Sequence, residues 1–465
     1  MDKDAYLEIN ASQRPALALF EAMGYTYISP ADCDKQRGSR YHVLLRDILR
    51  GQLRRLNRYA YAGAENEFSA ANIERAMEDL DEPLTDGLVR TSEKIYDALL
   101  LGKSYPETVG DGKMLSFNLR YIDWDNPQNN VFHVTEEFAV DSRDRQHNAR
   151  PDIVLFINGI PFAVIECKAP HIPVEEAVGQ MIRNQQAAYI PQLFKFAQFV
   201  VATNKNAVKY ATVGTPKKFW SVWKEQDDEW LQTRLKALVP DRIPTEQDRN
   251  IVSLFSRERV FELIRYFILF DANVKKVCRY QQFFAVREIM KTIAESDEHG
   301  NRRSGVIWHT QGSGKSLTMV MLAKYILMEL KGCHPRVVIV TDRKELDAQI
   351  AATFAHTRLT PARATSGRHL VELVNSARAD VITSIINKFN TVERQEIKNP
   401  SRDIFVLVDE SHRSNYGLMA TRMRSVFPNA CYIGFTGTPL MKSEKNTMAR
   451  FGSLIHKYPI RDGVE

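Results

Sequence analysis

The segment His309-Thr310-Gln311-Gly312-Ser313-Gly314-Lys315-Ser316 stands between an apolar run, SGVIWHT, and a helical run, LTMVMLAKYILMEL. A glycine-rich turn ending in Lys-Ser and joining a buried strand to a helix leaves few folds open. Its glycines let successive backbone N–H groups close around phosphate oxygens, and the amino end of the helix adds positive potential. Lys315 is placed to reach terminal phosphates and the Ser316 hydroxyl to bind Mg²⁺, with Thr310, Gly312, Ser313 and Gly314 lining the cradle. The strict G-x-x-x-x-G-K-[ST] spacing is not met, because His309 stands where the first Gly belongs. The later runs RVVIVTD, ADVITSI, DIFVLVDE and ACYIGFT alternate with helical patterns. That alternation predicts a parallel α/β sheet covered on both faces. ATP and Mg²⁺ are the expected cofactors.

A second acidic feature completes that chemistry. Asp409-Glu410 follows the apolar strand IFVLV. The carboxyl end of a buried parallel strand is where a magnesium-holding carboxylate and a water-orienting base belong, so Asp409 is expected to serve Mg²⁺ and Glu410 the attacking water. Gln282 lies on an expected helix upstream of the glycine-rich loop.

The amino-terminal half has a different pattern. Helical character is expected over Leu44–Tyr59 and Glu67–Leu80, strands between Val131 and Lys168, and a helix over Val174–Tyr189. Gly214–Asp248 reads as an irregular insertion or linker and Arg259–Phe270 as a helix, which places a boundary near residue 255. Within the strands lie Pro151-Asp152 and Glu166-Cys167-Lys168. Two carboxylates on neighbouring strands with a nearby lysine suit Mg²⁺-assisted phosphodiester hydrolysis, with Asp152 and Glu166 as metal ligands. Alternation puts Glu166 and Lys168 on one face and Cys167 on the other. Pairing sets a test. Asn158-Gly159 predicts a tight hairpin. A strict two-residue loop continued without irregularity sets Asp152 against Ile165, turning Glu166 away from it. An odd loop or a bulge near Pro161 sets Asp152 against Glu166. Gln185 and Tyr189, four apart on the expected helix, would share a face.

Several classes are excluded or disfavoured. No apolar run approaches the ~20 residues of a membrane-spanning helix, and MDKDAYLEIN lacks the basic-then-apolar order of a secretory leader. The cysteines, five in number, include no Cys-x-x-Cys, which argues against a disulfide framework or a cysteine zinc site and for a cytoplasmic setting. Lys and Arg number 63 against 57 Asp and Glu, a formal charge of +6 that permits nucleic-acid binding without requiring it. Arg46, Arg50, Arg54 and Arg58 recur every fourth residue, so one helix face is expected to offer guanidinium groups to duplex DNA.

These motifs carry a family resemblance. Thr310–Ser316 and DESH resemble motifs I and II of superfamily 2 helicases, VIVTDR motif Ia, FTGTP motif III and RYQQ the Q motif, a resemblance that implies a contact of Gln282 with the adenine. Pro-Asp…Glu-x-Lys followed by Gln-x-x-x-Tyr resembles PD-(D/E)xK nucleases of the RecB-like branch, which implies that Gln185 and Tyr189 join the site; in that branch a further upstream Glu often joins it too, and Glu67 and Glu74 are candidates. The whole ordering resembles the restriction (R, HsdR) subunit of type I restriction enzymes. The fold class implied is α/β: a PD-(D/E)xK endonuclease domain over 1–255, then the first RecA-like lobe of a superfamily 2 motor over 256–465. The resemblance implies ATP-driven translocation of double-stranded DNA and Mg²⁺-dependent cleavage remote from the recognition site. Its implied partners are methyltransferase (M) and specificity (S) subunits. A stand-alone helicase–nuclease of repair or defence, or a nucleotide-gated DNA-binding module with an inert nuclease site, are the competing expectations. After GFTGTP about 25 residues remain, against the roughly 100–200 of another domain. A second lobe is therefore expected outside this chain, and poor ATP turnover is expected within it.

Overall fold

A computed structural model describes residues 8–330, 332–341, 361–376, 379–385, 398–409, 416–437 and 451–459. The chain divides into two compact units, Met1–Val277 and Cys278–Glu465. The expected boundary near 255 is thus displaced. Helices Glu246–Phe255 and Arg257–Tyr266 and the hairpin Ile268–Asp271/Val274–Val277 belong to the first unit. They are held there by burial: Phe255 packs edge-on against Phe20 and Phe199, Tyr25 Oη donates to the Phe255 carbonyl (2.8 Å), and Tyr96 Oη donates to that of Ile264 (2.8 Å). The Gly214–Asp248 stretch is also less irregular than expected. It contains the helix Asp228–Leu238, and Thr245 and Asp248 form a reciprocal cap for the helix that follows.

The first unit is built on a six-stranded mixed sheet. In spatial order, which is also chain order, its strands are β1 (Thr26–Tyr27), β2 (Phe132–Glu136), β3 (Ile153–Ile157), β4 (Ile160–Cys167), β5 (Phe199–Thr203) and β6 (Val208–Ala211). β1/β2 and β4/β5 are parallel and the other pairs antiparallel. β3 and β4 are buried at every residue, which explains their near-continuous apolar sequence.

The β3–β4 hairpin decides where the acidic residues point. Asn158 (φ 54°) and Gly159 (φ 82°) form a two-residue turn, with Ile157 paired to Ile160. Only residues tolerant of left-handed backbone fit there. The Asn158 side chain accepts from Val131 N–H (2.9 Å) and donates to the Tyr121 carbonyl (3.0 Å). A Cβ on Gly159 would meet the Leu45 carbonyl oxygen at 2.6 Å. The ladder then slips: Pro161 pairs with Phe156, but Ala163 pairs with Leu155, leaving Phe162 as a bulge. Pro161 has no N–H for the ladder, so little pairing is lost there. From Ile165↔Ile153 the next step sets Glu166 opposite Asp152. The turn is strict, as the Asn-Gly signal indicates, and the bulge restores the face.

The second unit contains a seven-stranded sheet. Its strands are β7 (Gly305–His309), β8 (Arg336–Thr341), β9 (Pro361–Arg363), β10 (Val381–Ile385), β11 (Ile404–Val408), β12 (Cys431–Thr436) and β13 (Ser453–Tyr458), in the order β9-β10-β8-β11-β12-β7-β13. Every pairing is parallel. Val338, Val340, Ile382, Val406 and Val408 lie in a buried cluster with Leu370, Val374, Met423 and Phe427, so helices cover the sheet as the apolar strands require.

Candidate functional site

The Asp152 carboxylate sits just before β3 and accepts the Cys167 N–H at 2.6 Å. Glu166 is 1% exposed; its Oε1 accepts from Lys168 Nζ at 3.0 Å, while its Oε2 is buried without a partner. The Cys167 side chain is wholly buried. Burial pushes the Asp152 carboxyl up, against the Cys167 N–H and Lys168. Burial, then the charge of Asp152, pushes Glu166 up, against Lys168. Burial works against the Lys168 ammonium, but Glu166, Glu8 and Asp152 outweigh it and its pKa is raised. Two acids that cannot both ionise cheaply, with one oxygen left bare, match the demand a divalent cation would satisfy. Among the described residues no three His, Cys, Asp or Glu side chains converge on one point. A cation here would complete its shell with water or phosphate oxygens, as Mg²⁺ commonly does.

The two candidate upstream glutamates are engaged by arginines. Glu67 pairs with Arg58, and Glu74 with Arg46 and Arg50. Glu8 instead lies 3.8 Å from Lys168 Nζ. No spacing rule could have found it, since the contact spans most of the unit's sheet in sequence.

Gln185 and Tyr189 are not four apart on a helix. The helix Val174–Asn184 stops one residue short, and turns lead to Pro191, whose ring disfavours helix at the preceding position. Gln185 accepts the Gly214 N–H (2.8 Å) and donates to the Met181 carbonyl (3.1 Å). Tyr189 stacks on His147 with ring centroids 5.1 Å apart. Both line a cleft of about 670 Å³ with Tyr41, Arg143 and Lys195.

The arginine stripe is also broken. The helix is Arg46–Leu56, and Arg58 begins a strand. Arg46 reaches Glu74 (3.4 Å), Arg50 bonds Glu74 and Asp47, and Arg58 bonds Glu67. Glu74 comes from the packed helix Ala70–Leu80, an acid invisible to a reading of one helix alone. Arg54 remains exposed.

In the second unit the glycine-rich loop follows β7 and opens the helix Lys315–Glu329. Gly312 (φ 83°) and Gly314 (φ 86°) take left-handed backbone, and no side chain caps the helix. An uncapped amino end of this kind suits an anion. Lys315 Nζ lies 3.3 Å from the His309 carbonyl, and the buried Ser313 Oγ has no partner. Gln282 uses its amide within the protein: Oε1 accepts the Arg279 N–H (2.8 Å) and Nε2 donates to the Gly314 carbonyl (3.1 Å). A Cβ on Gly314 would stand 2.6 Å from that Nε2. Thr310 N–H donates to the Tyr458 carbonyl (3.2 Å), and Ser316 is partly exposed. His309 is buried and shares a 2.9 Å hydrogen bond with His456; burial, with His456 and Lys315, pushes its pKa down to about 3. Asp409 is buried at the end of β11. Glu410, and the Thr438-Pro439 and Asp342-Arg343 ends of the expected motifs, lie outside the described residues. The uncapped amino end of the helix and the unpartnered Ser313 hydroxyl fit a bound phosphate chain.

A glycine-rich loop on a parallel sheet and a buried carboxylate pair on a mixed one define a chain with a candidate nucleotide-binding unit and a candidate hydrolytic unit. Sequence comparison shows what the chain is similar to. Residues 5–219 match the type I restriction enzyme R protein N terminus, and residues 281–465 match the SWI2/SNF2 ATPase. The chain is thus a relative of type I restriction R subunits. The HindI endonuclease subunit of Haemophilus influenzae, a type I restriction enzyme, is 30% identical over 434 residues, covering 84% of this chain and 40% of its own. The provisionally named MjaIXP endonuclease subunit of Methanocaldococcus jannaschii is 28% identical, covering 99% of this chain and 44% of its own. The chain therefore spans about two fifths of these relatives' length. The solved UvsW helicase of bacteriophage T4 is 20% identical, covering 43% of this chain and 67% of its own, with a TM-score of 0.33. Among the described residues no helix is long and apolar enough to cross a membrane.

Proposed function

We propose that this chain is the nuclease and ATP-binding part of a type I restriction R subunit. Its first unit is a PD-(D/E)xK endonuclease and its second the first RecA-like lobe of a superfamily 2 translocase. It acts in the cytoplasm on double-stranded DNA, with methyltransferase and specificity subunits. The observation that carries this reading is the Phe162 bulge, which sets Asp152 opposite Glu166 beside Lys168. Asp152 and Glu166 would hold Mg²⁺, which supplies Lewis acidity toward a phosphodiester oxygen and a more acidic water. Asp152 is steadied by the Cys167 N–H. Lys168 favours the ionised form of Glu166 and places positive charge where the phosphate gains negative charge. In the second unit Lys315, Ser316 and the loop N–H groups would hold Mg-ATP, with Asp409 serving the metal, Glu410 the water and Gln282 bracing the loop.

The test is made in the complete R subunit assembled with its M and S partners. Asp152→Asn and Lys168→Ala should each abolish Mg²⁺-dependent cleavage while DNA-stimulated ATP turnover persists. Lys315→Ala should abolish both. Retained cleavage in Asp152→Asn refutes the nuclease assignment. Cleavage by the R subunit without M and S refutes the partner assignment.

A further inference from the structure

The stretch Ile9–Gln13 is wound as a π-helix, with the Arg14 N–H donating to the Ile9 carbonyl, and it passes at Arg14 into the helix Arg14–Ala22. Pro15 supplies the cause. It has no N–H to give the Ala11 carbonyl, and its ring crowds that carbonyl, so the ordinary four-residue ladder fails there. The change of winding has a consequence for aim. At roughly 100° per residue an α-helix would turn Gln13 about 140° from Glu8. At the roughly 82° of an i→i+5 helix, Ser12 and Gln13 both fall within about 50° of Glu8.

All three side chains face the end of the β3–β4 hairpin. Glu8 lies 3.8 Å from Lys168. Ser12 Oγ donates to Gln247 Oε1 (2.6 Å), which also accepts from Thr203 Oγ1 (3.1 Å) next to β4, and Gln247 donates back to the Ser12 carbonyl (2.8 Å). Gln13 is 1% exposed. Its Nε2 faces the Asp152 carbonyl (3.4 Å), Glu137 Oε1 (3.3 Å) and Glu136 Oε2 (3.4 Å). The Asp152 carbonyl also accepts the Glu137 N–H (3.0 Å). Gln13 Oε1 is buried without a partner, as is Glu166 Oε2. A neutral amide thus stands among three acidic residues, its two hydrogens shared by three acceptors at 3.3–3.4 Å, one of them the backbone of the residue that faces Glu166.

We propose that Gln13 is a positioning residue of the carboxylate centre, delivered to it by the π turn. Its amide donor steadies the Asp152 backbone, while Tyr27 holds Glu136 (2.9 Å) and Arg150 holds Glu137 (2.5 Å) beside it. This rests on the nuclease reading above. Groups that orient metal ligands typically alter metal affinity or activity by 10–100-fold when removed.

The experiment compares Gln13→Leu, Gln13→Glu and Asp152→Ala. Mn²⁺ affinity is measured on this chain by calorimetry, and kcat and KM for DNA on the assembled enzyme. Both Gln13 variants remove the donor, the second with nearly unchanged shape, so a folding failure of one leaves the other. The expected result is at least tenfold weaker Mn²⁺ binding and tenfold lower kcat, with KM for DNA unchanged and kcat partly restored by raised metal concentration. If Asp152→Ala abolishes Mn²⁺ binding while the Gln13 variants bind within twofold of the parent, the positioning role is overturned. If Asp152→Ala itself binds Mn²⁺ normally, the nuclease reading falls, and this assignment with it.

Discussion

Replacing Glu166 by Gln offers a test that needs no DNA. Glu166 is raised by burial and by the neighbouring Asp152. A folded-state pKa above the unfolded one means that the native protein keeps a proton the unfolded chain has already released. The associated stability is fully present below the ordinary carboxylate value and is lost as pH rises through the raised one. A glutamine has no proton to lose, and its oxygen can still accept from Lys168. A proton held tenfold more tightly in the folded protein corresponds to about 1.4 kcal/mol. Even that tenfold difference gives Glu166→Gln an advantage of about 1.4 kcal/mol at pH 8.5 that is absent at pH 4. For a domain of this size that is roughly 3–6 °C in the unfolding transition of the first unit. The assay is calorimetric melting across pH 4–9 with chelator present, then repeated with Mg²⁺. Metal at a hundredfold its Kd should stabilise the parent by about 2.7 kcal/mol and leave the Gln variant nearly unchanged. A stability difference that is flat in pH, or equal stabilisation of both proteins by Mg²⁺, refutes the account of a strained carboxylate pair.

Other substitutions probe separate parts. Asn158→Ala removes the bonds to Val131 and Tyr121 and leaves a Cβ residue at φ 54°; about 2–4 kcal/mol should be lost in urea unfolding. Arg46, Arg50, Arg54 and Arg58 changed together to Ala should reduce the salt slope of DNA binding by about one phosphate rather than four, because acids already engage three of them; a loss of about four restores the stripe. Gln282→Ala should loosen the nucleotide loop by removing the bond to the Gly314 carbonyl. Equilibrium binding of a fluorescent ATP analogue should weaken about tenfold, the equivalent of roughly 1.4 kcal/mol, and an unchanged Kd removes that role.

Much of the chemistry is legible without coordinates because it is written in local runs. The strand–loop–helix around Gly312 and Gly314, the Asp409 strand end and the Asn158-Gly159 turn each depend on residues a few positions apart. Periodicity and left-handed backbone preferences report on such short stretches. Other features depend on what lies across the fold. The sequence announces a tight turn, but whether Asp152 meets Glu166 turns on one slipped residue, Phe162, beside a proline that cannot pair. The Arg46–Arg54 face reads as basic until Glu74 arrives from a packed helix. Gln185 and Tyr189 keep their spacing in sequence but lose their common face where the helix stops at Asn184. The boundary moves to residue 277 because Phe255, Ile264 and Lys275 are buried in the first unit, where Lys275 Nζ donates to Ser92, Gln198 and the Ala197 carbonyl. Glu8 faces Lys168 and Gln13 the Asp152 backbone across a π turn ahead of Pro15, a winding that ordinary helical periodicity does not anticipate. Composition and motif order determine which reactive groups the chain owns. Register, helix termination and cross-fold pairing determine which of them meet, since a shift of one residue turns a side chain to the opposite face and no local pattern records the neighbour it finds.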